Sequence, residues 1–210
     1  MPNNVKMSRD EIGNECRRVL QEEASALAGL TRTVDFDVLA QAVSVLGECK
    51  GHIFLSGCGT SAMAARKIAH SLCCIERPGI YLNPADSVHG GLGILKANDV
   101  CILLSKGGRT EELLKLVPVC KSKNVFLMVV SENEKSYLAD IADLFIHIKV
   151  DREPCPFNML ATASILAVIS VFDAICISLM RYARYTKEQF AVIHPGGAVG
   201  ERLLADNKML

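Results

Sequence analysis

The strongest constraint on this chain is a pattern that occurs twice: a short apolar run, a turn of glycine, serine and threonine, then a helix-forming stretch. Ile53-Phe54-Leu55 runs into Ser56-Gly57-Cys58-Gly59-Thr60-Ser61, and Val100-Cys101-Ile102-Leu103-Leu104 runs into Ser105-Lys106-Gly107-Gly108-Arg109-Thr110. Short apolar runs bounded by turn residues predict buried strands. Strands that alternate with helices join through right-handed crossovers, which gives a mainly parallel sheet covered by helices on both faces. Each turn also presents backbone N–H groups and hydroxyls at the positive end of a helix, a setting that receives phosphate. One such turn is a weak signal. Two predict a single anionic ligand held between loops at the carboxyl ends of the strands, where the strand order reverses.

The rest of the chain supports the same architecture. Ser8 and Glu11 have capping-box spacing, and Ile12, Cys16, Val19, Leu20, Ala24 and Leu27 draw an apolar stripe along a helix to about Leu30. A second helix starts at Asp35 or Asp37 and reaches Cys49. Five strands are predicted, at 52–55, 80–82, 100–104, 125–130 and 144–150. Helices are predicted at 61–74, 111–120 and 136–142, with 83–91 a loop or broken helical turn. A long helix follows from Asn158 to about Tyr185, Thr186 caps one more turn, and a last helix holds Val199 to Leu204. The expected fold is α/β, a three-layer α/β/α sandwich, as a single domain over residues 1–210. Its N-terminal helices span about 8–49, its α/β core about 51–150 and its C-terminal helices about 158–205.

Composition excludes several function classes. Lys+Arg and Asp+Glu both total 23, so no basic stripe is present to offset a nucleic-acid backbone. The first residues lack an apolar signal core. Met159 to Met180 is long and apolar enough to test as a membrane span. It carries Asp173 and several small polar residues, so a buried helix at a domain or subunit interface is expected, with no membrane partner. The chain is 50% hydrophobic with a mean hydropathy of +0.26, which predicts surface covered by another copy. Nine cysteines show neither a CxxC pair nor zinc spacing with histidine, so reduced thiols in a cytoplasmic protein, with no metal, are expected.

These residues resemble a known family. Ser56 through Ser61 and Ser105 through Glu112 are similar to the two phosphate loops of the SIS (sugar isomerase) domain, which binds phosphorylated sugars in a five-stranded flavodoxin-like sandwich. Val88-His89-Gly90-Gly91-Leu92-Gly93, Arg152-Glu153-Pro154-Cys155-Pro156 and His194-Pro195-Gly196-Gly197-Ala198-Val199-Gly200 resemble its arabinose-5-phosphate isomerase branch. That branch often carries a pair of CBS domains after the SIS domain; none is expected here, as the sequence closes at Leu210. Three departures stand out: Thr60 where the branch has lysine, Gly107 where the second loop has a second serine, and Gly91 where an acid follows His-Gly.

The resemblance implies an aldose–ketose isomerase of a phosphorylated sugar, most directly arabinose 5-phosphate and ribulose 5-phosphate, acting through an enediol with no cofactor. It implies phosphate binding by Ser56, Gly57, Gly59, Thr60, Ser61, Ser105, Gly107, Gly108 and Thr110. Glu153 is the expected proton-shuttling base and Glu112 its competitor; His89 or His194 is expected to open the ring. Family habit adds a homo-oligomer, dimer or tetramer, with His194 able to enter a neighbouring subunit's site. Each residue also has a plain structural reading. Glu112 suits the first turn of any helix, Glu153 suits an exposed loop, and Thr60, Ser61, Ser105 and Thr110 suit helix caps. His89 suits a glycine-rich turn, His194 suits a cap, and Cys58 is either a reactive thiol or a small turn residue. Two other functions remain open: a phosphosugar sensor that binds without turnover, and a 6-phospho-3-hexuloisomerase-like enzyme.

Overall fold

The computed structural model describes residues 6–197 and 200–201. Five strands, β1 (Ile53–Gly57), β2 (Gly79–Tyr81), β3 (Val100–Leu104), β4 (Phe126–Ser131) and β5 (Leu144–His147), form one sheet in the order β2-β1-β3-β4-β5. Every pairing is parallel, with Leu55 opposite Ile102 and Ile102 opposite Met128. The order reverses between β1 and β3, so the two glycine-rich turns leave neighbouring strands at the switch point. This is the fold class expected from the sequence.

Side-chain alternation splits the core into two layers. Ile53, Leu55, Val100, Ile102, Leu104, Met128 and Val130 face one side of the sheet. There they meet α2 (Phe36–Glu48), α3 (Thr60–Cys73) and α8 (Ala163–Tyr182). Phe54, Cys101, Leu103, Leu127 and Val129 face the other side, against α5 (Glu111–Leu114), α6 (Val117–Ser122), α7 (Tyr137–Ile141) and the 3-10 turn Gly91–Ile94. A short α4 (Pro84–Ser87) precedes that turn. α1 (Arg9–Thr33) packs on α8 and carries the expected Ser8–Glu11 capping box. The N-terminal half of its apolar stripe does not enter this core, since Ile12 and Leu20 are exposed.

Asp35 caps α2 by accepting from the amides of Asp37 (2.9 Å) and Val38 (3.1 Å). Asp35→Ala is expected to cost about 1 kcal/mol in urea unfolding; an unchanged midpoint would show that the cap contributes nothing.

Several element boundaries differ from those expected. The helix predicted at 111–120 is two helices, because Pro118 has no N–H for a helical bond to the preceding turn and sits in the first turn of a new helix. β5 stops at His147, not Val150. The long helix begins at Ala163 rather than Asn158, so the C-terminal helices start five residues later than expected. Asn158 is left-handed (φ 54°), and its Oδ1 accepts the Glu153 amide. α8 is long and apolar enough to cross a membrane by length and composition alone. One side of it is buried against α1, α2 and α3, and Asp173 pairs with Lys67 of α3. α9 (Lys187–Ile193) follows with the capping box Thr186–Gln189 and buries no residue. The final helix expected at 199–204 lies outside the described residues, apart from its residues 200–201.

Candidate functional site

The first loop is built by close approach. A Cβ at Gly57 would stand 2.9 Å from the Ser61 carbonyl carbon and oxygen, so only glycine lets β1 pass this near α3. Gly59 turns the chain at φ 56° and supplies no side chain to cap α3. The Tyr81 hydroxyl holds the Gly57 carbonyl back at 3.2 Å. The amides of Cys58, Gly59 and Thr60 have no acceptor among the described residues, which leaves an anion-receptive helix start.

The second loop follows the same logic. Ser131 donates its hydroxyl to the Lys106 carbonyl at 2.8 Å, the Glu132 amide donates to the same oxygen, and Asn133 Nδ2 holds the Gly107 carbonyl at 3.1 Å. With its carbonyls drawn towards the end of β4, the loop leaves the amides of Lys106, Gly107, Arg109 and Thr110 without acceptors among the described residues. The Ser105 and Thr110 hydroxyls bond each other at 2.8 Å. Gly108 is left-handed (φ 67°), and its missing Cβ leaves room for Ser136. Gly107, the serine position of the resemblance, has open space where a Cβ would project.

Thr60, Ser61, Ser105, Lys106, Ser131 and Ser164 line a cleft between the two loops and α8, over an apolar floor of Val130, Ile148 and Val168. At its edge stands a carboxylate–ammonium pair. Glu153 is 1% exposed, and its Oε1 accepts from Lys106 Nζ at 2.7 Å. Its Oε2 accepts the Thr162 (3.0 Å) and Ser164 (3.2 Å) amides at the start of α8. Burial pushes its carboxyl up, but Lys106, the Ser164 hydroxyl and the two amides outweigh this and hold it at about 2. Glu153 is therefore not an exposed loop acid: it caps α8 and faces the cleft's lysine.

The other expected residues are placed variously. Ser56 is fully buried and donates its hydroxyl to the Leu82 carbonyl at 2.8 Å, so its side chain braces β1 against the end of β2 and does not line the cleft. Glu112 is exposed in the first turn of α5, near enough to Cys58 that its charge, after burial, raises that thiol. That direction fits the small turn residue rather than a reactive thiol. His89 is exposed after α4, and His194 stacks on Phe190 at 3.8 Å with Nδ1 2.9 Å from the Phe190 carbonyl. Neither histidine lines the cleft.

Lys106, Ser131 and Ser164 are the site residues that sequence reasoning did not single out as such. Only Lys106 had a signal, as a charge inside the second loop. Arg18 of α1 is a further support: its Nη2 donates to the Pro154 carbonyl at 2.8 Å while Glu15 and Glu22 hold the guanidinium. For Arg18→Ala we expect amide exchange across 153–158 to rise about fivefold, the equivalent of about 1 kcal/mol. Exchange in β1 and β3 should not change, and equal protection at 153–158 would remove this role.

Two anion-receptive loops at the switch point of a 2-1-3-4-5 sheet, beside a buried acid–base pair, define a doubly wound α/β domain with a candidate site for a small anion. The sequence profile of the SIS domain matches residues 46–178. The chain belongs to the SIS domain family. It is similar to the arabinose 5-phosphate isomerase KpsF of Escherichia coli CFT073, 35% identical over 90% of this chain and 58% of that one. It thus spans under two thirds of the curated relatives it matches. Among solved structures, a candidate sugar-phosphate isomerase of Listeria monocytogenes is 50% identical with a TM-score of 0.90, over 91% of this chain and all of that one. A protein of E. coli CFT073 in complex with arabinose 5-phosphate is 27% identical with a TM-score of 0.86, over 90% of this chain and all of that one.

Proposed function

We propose that this protein is an aldose–ketose isomerase of a phosphorylated pentose, interconverting arabinose 5-phosphate and ribulose 5-phosphate. The observation that carries the reading is the pair of loops beside Glu153 whose amides have no acceptor among the described residues. A phosphate bound there anchors the open-chain sugar, and its binding energy holds C1 and C2 for proton transfer. Glu153 is the base, with Glu112 as the second carboxylate across the first loop. His89 or His194 opens the ring. The names of the KpsF relatives and the sugar-phosphate complex of the E. coli neighbour support the choice of sugar.

The whole chain acts as one unit in this reading, because α1 and α2 pack on the same α8 that Glu153 caps. It works as a homo-oligomer. Exposed Ile12, Leu20 and Val192, and an α9 that buries nothing, support contact with another copy and delivery of His194 to a neighbouring site. All nine cysteines are free thiols, which supports a cytoplasmic setting.

The test is turnover of arabinose 5-phosphate by the pure protein, read as ribulose 5-phosphate. Failure with that sugar and with a panel of phosphopentoses and phosphohexoses would overturn the reading. One observation favours the second reading, a sensor: both Glu153 oxygens are already engaged. A sensor would gain melting temperature from a phosphosugar while showing no turnover.

A further inference from the structure

We propose that Lys106 is a catalytic residue with two roles: it pairs with Glu153 until substrate competes for the ammonium, and it then charges the oxygen of the reacting carbonyl. The chemistry rests on the isomerase reading above; the competition for Lys106 does not.

Four observations carry it. The main chain at Lys106 is fixed, since Ser131 and the Glu132 amide hold its carbonyl, so any rearrangement belongs to the side chain alone. That side chain is 42% exposed and lines the cleft, and its bond to Ser164 Oγ is long at 3.4 Å, so among the described residues the Glu153 contact is the one that holds it firmly. Its own amide belongs to the second anion loop, so a bound phosphosugar lies against the same residue. Finally, Glu153 Oε2 stays fixed by the Thr162 and Ser164 amides whether or not Lys106 remains, so the carboxylate keeps its aim when Oε1 is freed.

The groups facing Glu153 come from several elements. Lys106 reaches it from the β3 loop, and Ser164 and two amides from α8. Glu132 lines the same cleft from the end of β4, while Arg18 of α1 holds the neighbouring Pro154 carbonyl. Asp151 and Arg152 flank it in its own loop. Among the described residues, Lys106 is the cation in direct contact with the carboxylate. Without it, burial acts unopposed by that charge and the carboxyl becomes a stronger base.

The step balances without any redox partner. Glu153 Oε1 takes the proton from C2, and the C–H electron pair becomes the C1–C2 double bond. The carbonyl pair moves onto O1, where the ammonium hydrogen-bonds the enediolate. A proton passes from O2 to O1, and Glu153 returns its own to C1.

The experiment compares Lys106→Met, Lys106→Arg and the parent protein, with folding checked by circular dichroism. For Lys106→Met, kcat for arabinose 5-phosphate should fall about a hundredfold. The acid limb of its kcat/KM profile should rise by about one pH unit or more, the scale of a lost ion partner. Lys106→Arg should restore the limb and part of kcat. An unchanged kcat, or a fall in kcat with the acid limb unmoved, overturns the proposal and leaves the isomerase reading standing. If the parent shows no turnover, that reading fails, and carboxyl 13C NMR tests the pair alone. Saturating arabinose 5-phosphate should then raise the Glu153 titration midpoint, and a midpoint that does not move, or absence of binding, overturns the proposal.

Discussion

Glu153→Gln is expected to lower isomerisation by about 10²–10⁴-fold, the usual contribution of a positioned base. Glutamine keeps the shape but has one acceptor oxygen. Turned towards Lys106, it sets an NH₂ against the Thr162 and Ser164 amides; turned the other way, it sets that NH₂ against the ammonium. Either choice leaves buried donors facing each other, a loss of about 1–3 kcal/mol. The variant also changes the response to acid. The Glu153 carboxyl is held at about 2, below its ordinary value of 4.5. A depressed carboxyl stabilises the fold above its unfolded value and loses that contribution as pH falls towards the folded one. At about 1.4 kcal/mol per pH unit the contribution is roughly 3 kcal/mol. Urea midpoints of the parent should therefore drop more steeply between pH 4.5 and 2 than those of Glu153→Gln. Parallel curves would remove Glu153 from the acid response, and full activity in the variant would remove it as the base.

Gly108→Ala is expected to destabilise the protein by about 2–5 kcal/mol and to abolish phosphosugar binding. A left-handed backbone costs a non-glycine residue about 1–2 kcal/mol, and forcing a methyl into a filled space adds about 1–3. Here the methyl would overlap Ser136 and stand 3.3 Å from Ser131 Oγ. Ser136 caps α7 and donates to the Asn133 carbonyl, while Ser131 ties the Lys106 carbonyl. The strain thus enters the bonds that hold the second loop's carbonyls. Urea unfolding and calorimetric titration with arabinose 5-phosphate measure the two effects. Retained affinity at lowered stability would show that the loop does not depend on this close packing.

Much of the fold was legible because its signals are local. β3 matches its expected bounds since five apolar residues end at Ser105. The capping boxes at Ser8 and Thr186 lie within four residues each. Pro118 carried the signal for the break between α5 and α6, and the apolar periodicity around it masked that signal. The site was legible as two loops, since a strand, a glycine turn and a helix are contiguous in the chain. The state of Glu153 was not. Its partner Lys106 lies 47 residues away and its amide donors 9 and 11 residues on, so burial and pairing arise only when α8 docks against the β3 loop. The onset of α8 was hidden for a related reason, because Asn158 answers the Glu153 amide and not the helix pattern. Ile12 and Leu20 show the opposite case: their stripe was readable, but the surface that would cover it belongs to no part of the described chain.

The unobstructed volume above Gly107 makes this position a natural place for redesign. Serine can be written there without displacing a neighbour, which would add the hydroxyl that the family resemblance places at this position. Polarity at the candidate site can then be changed without repacking the scaffold around it.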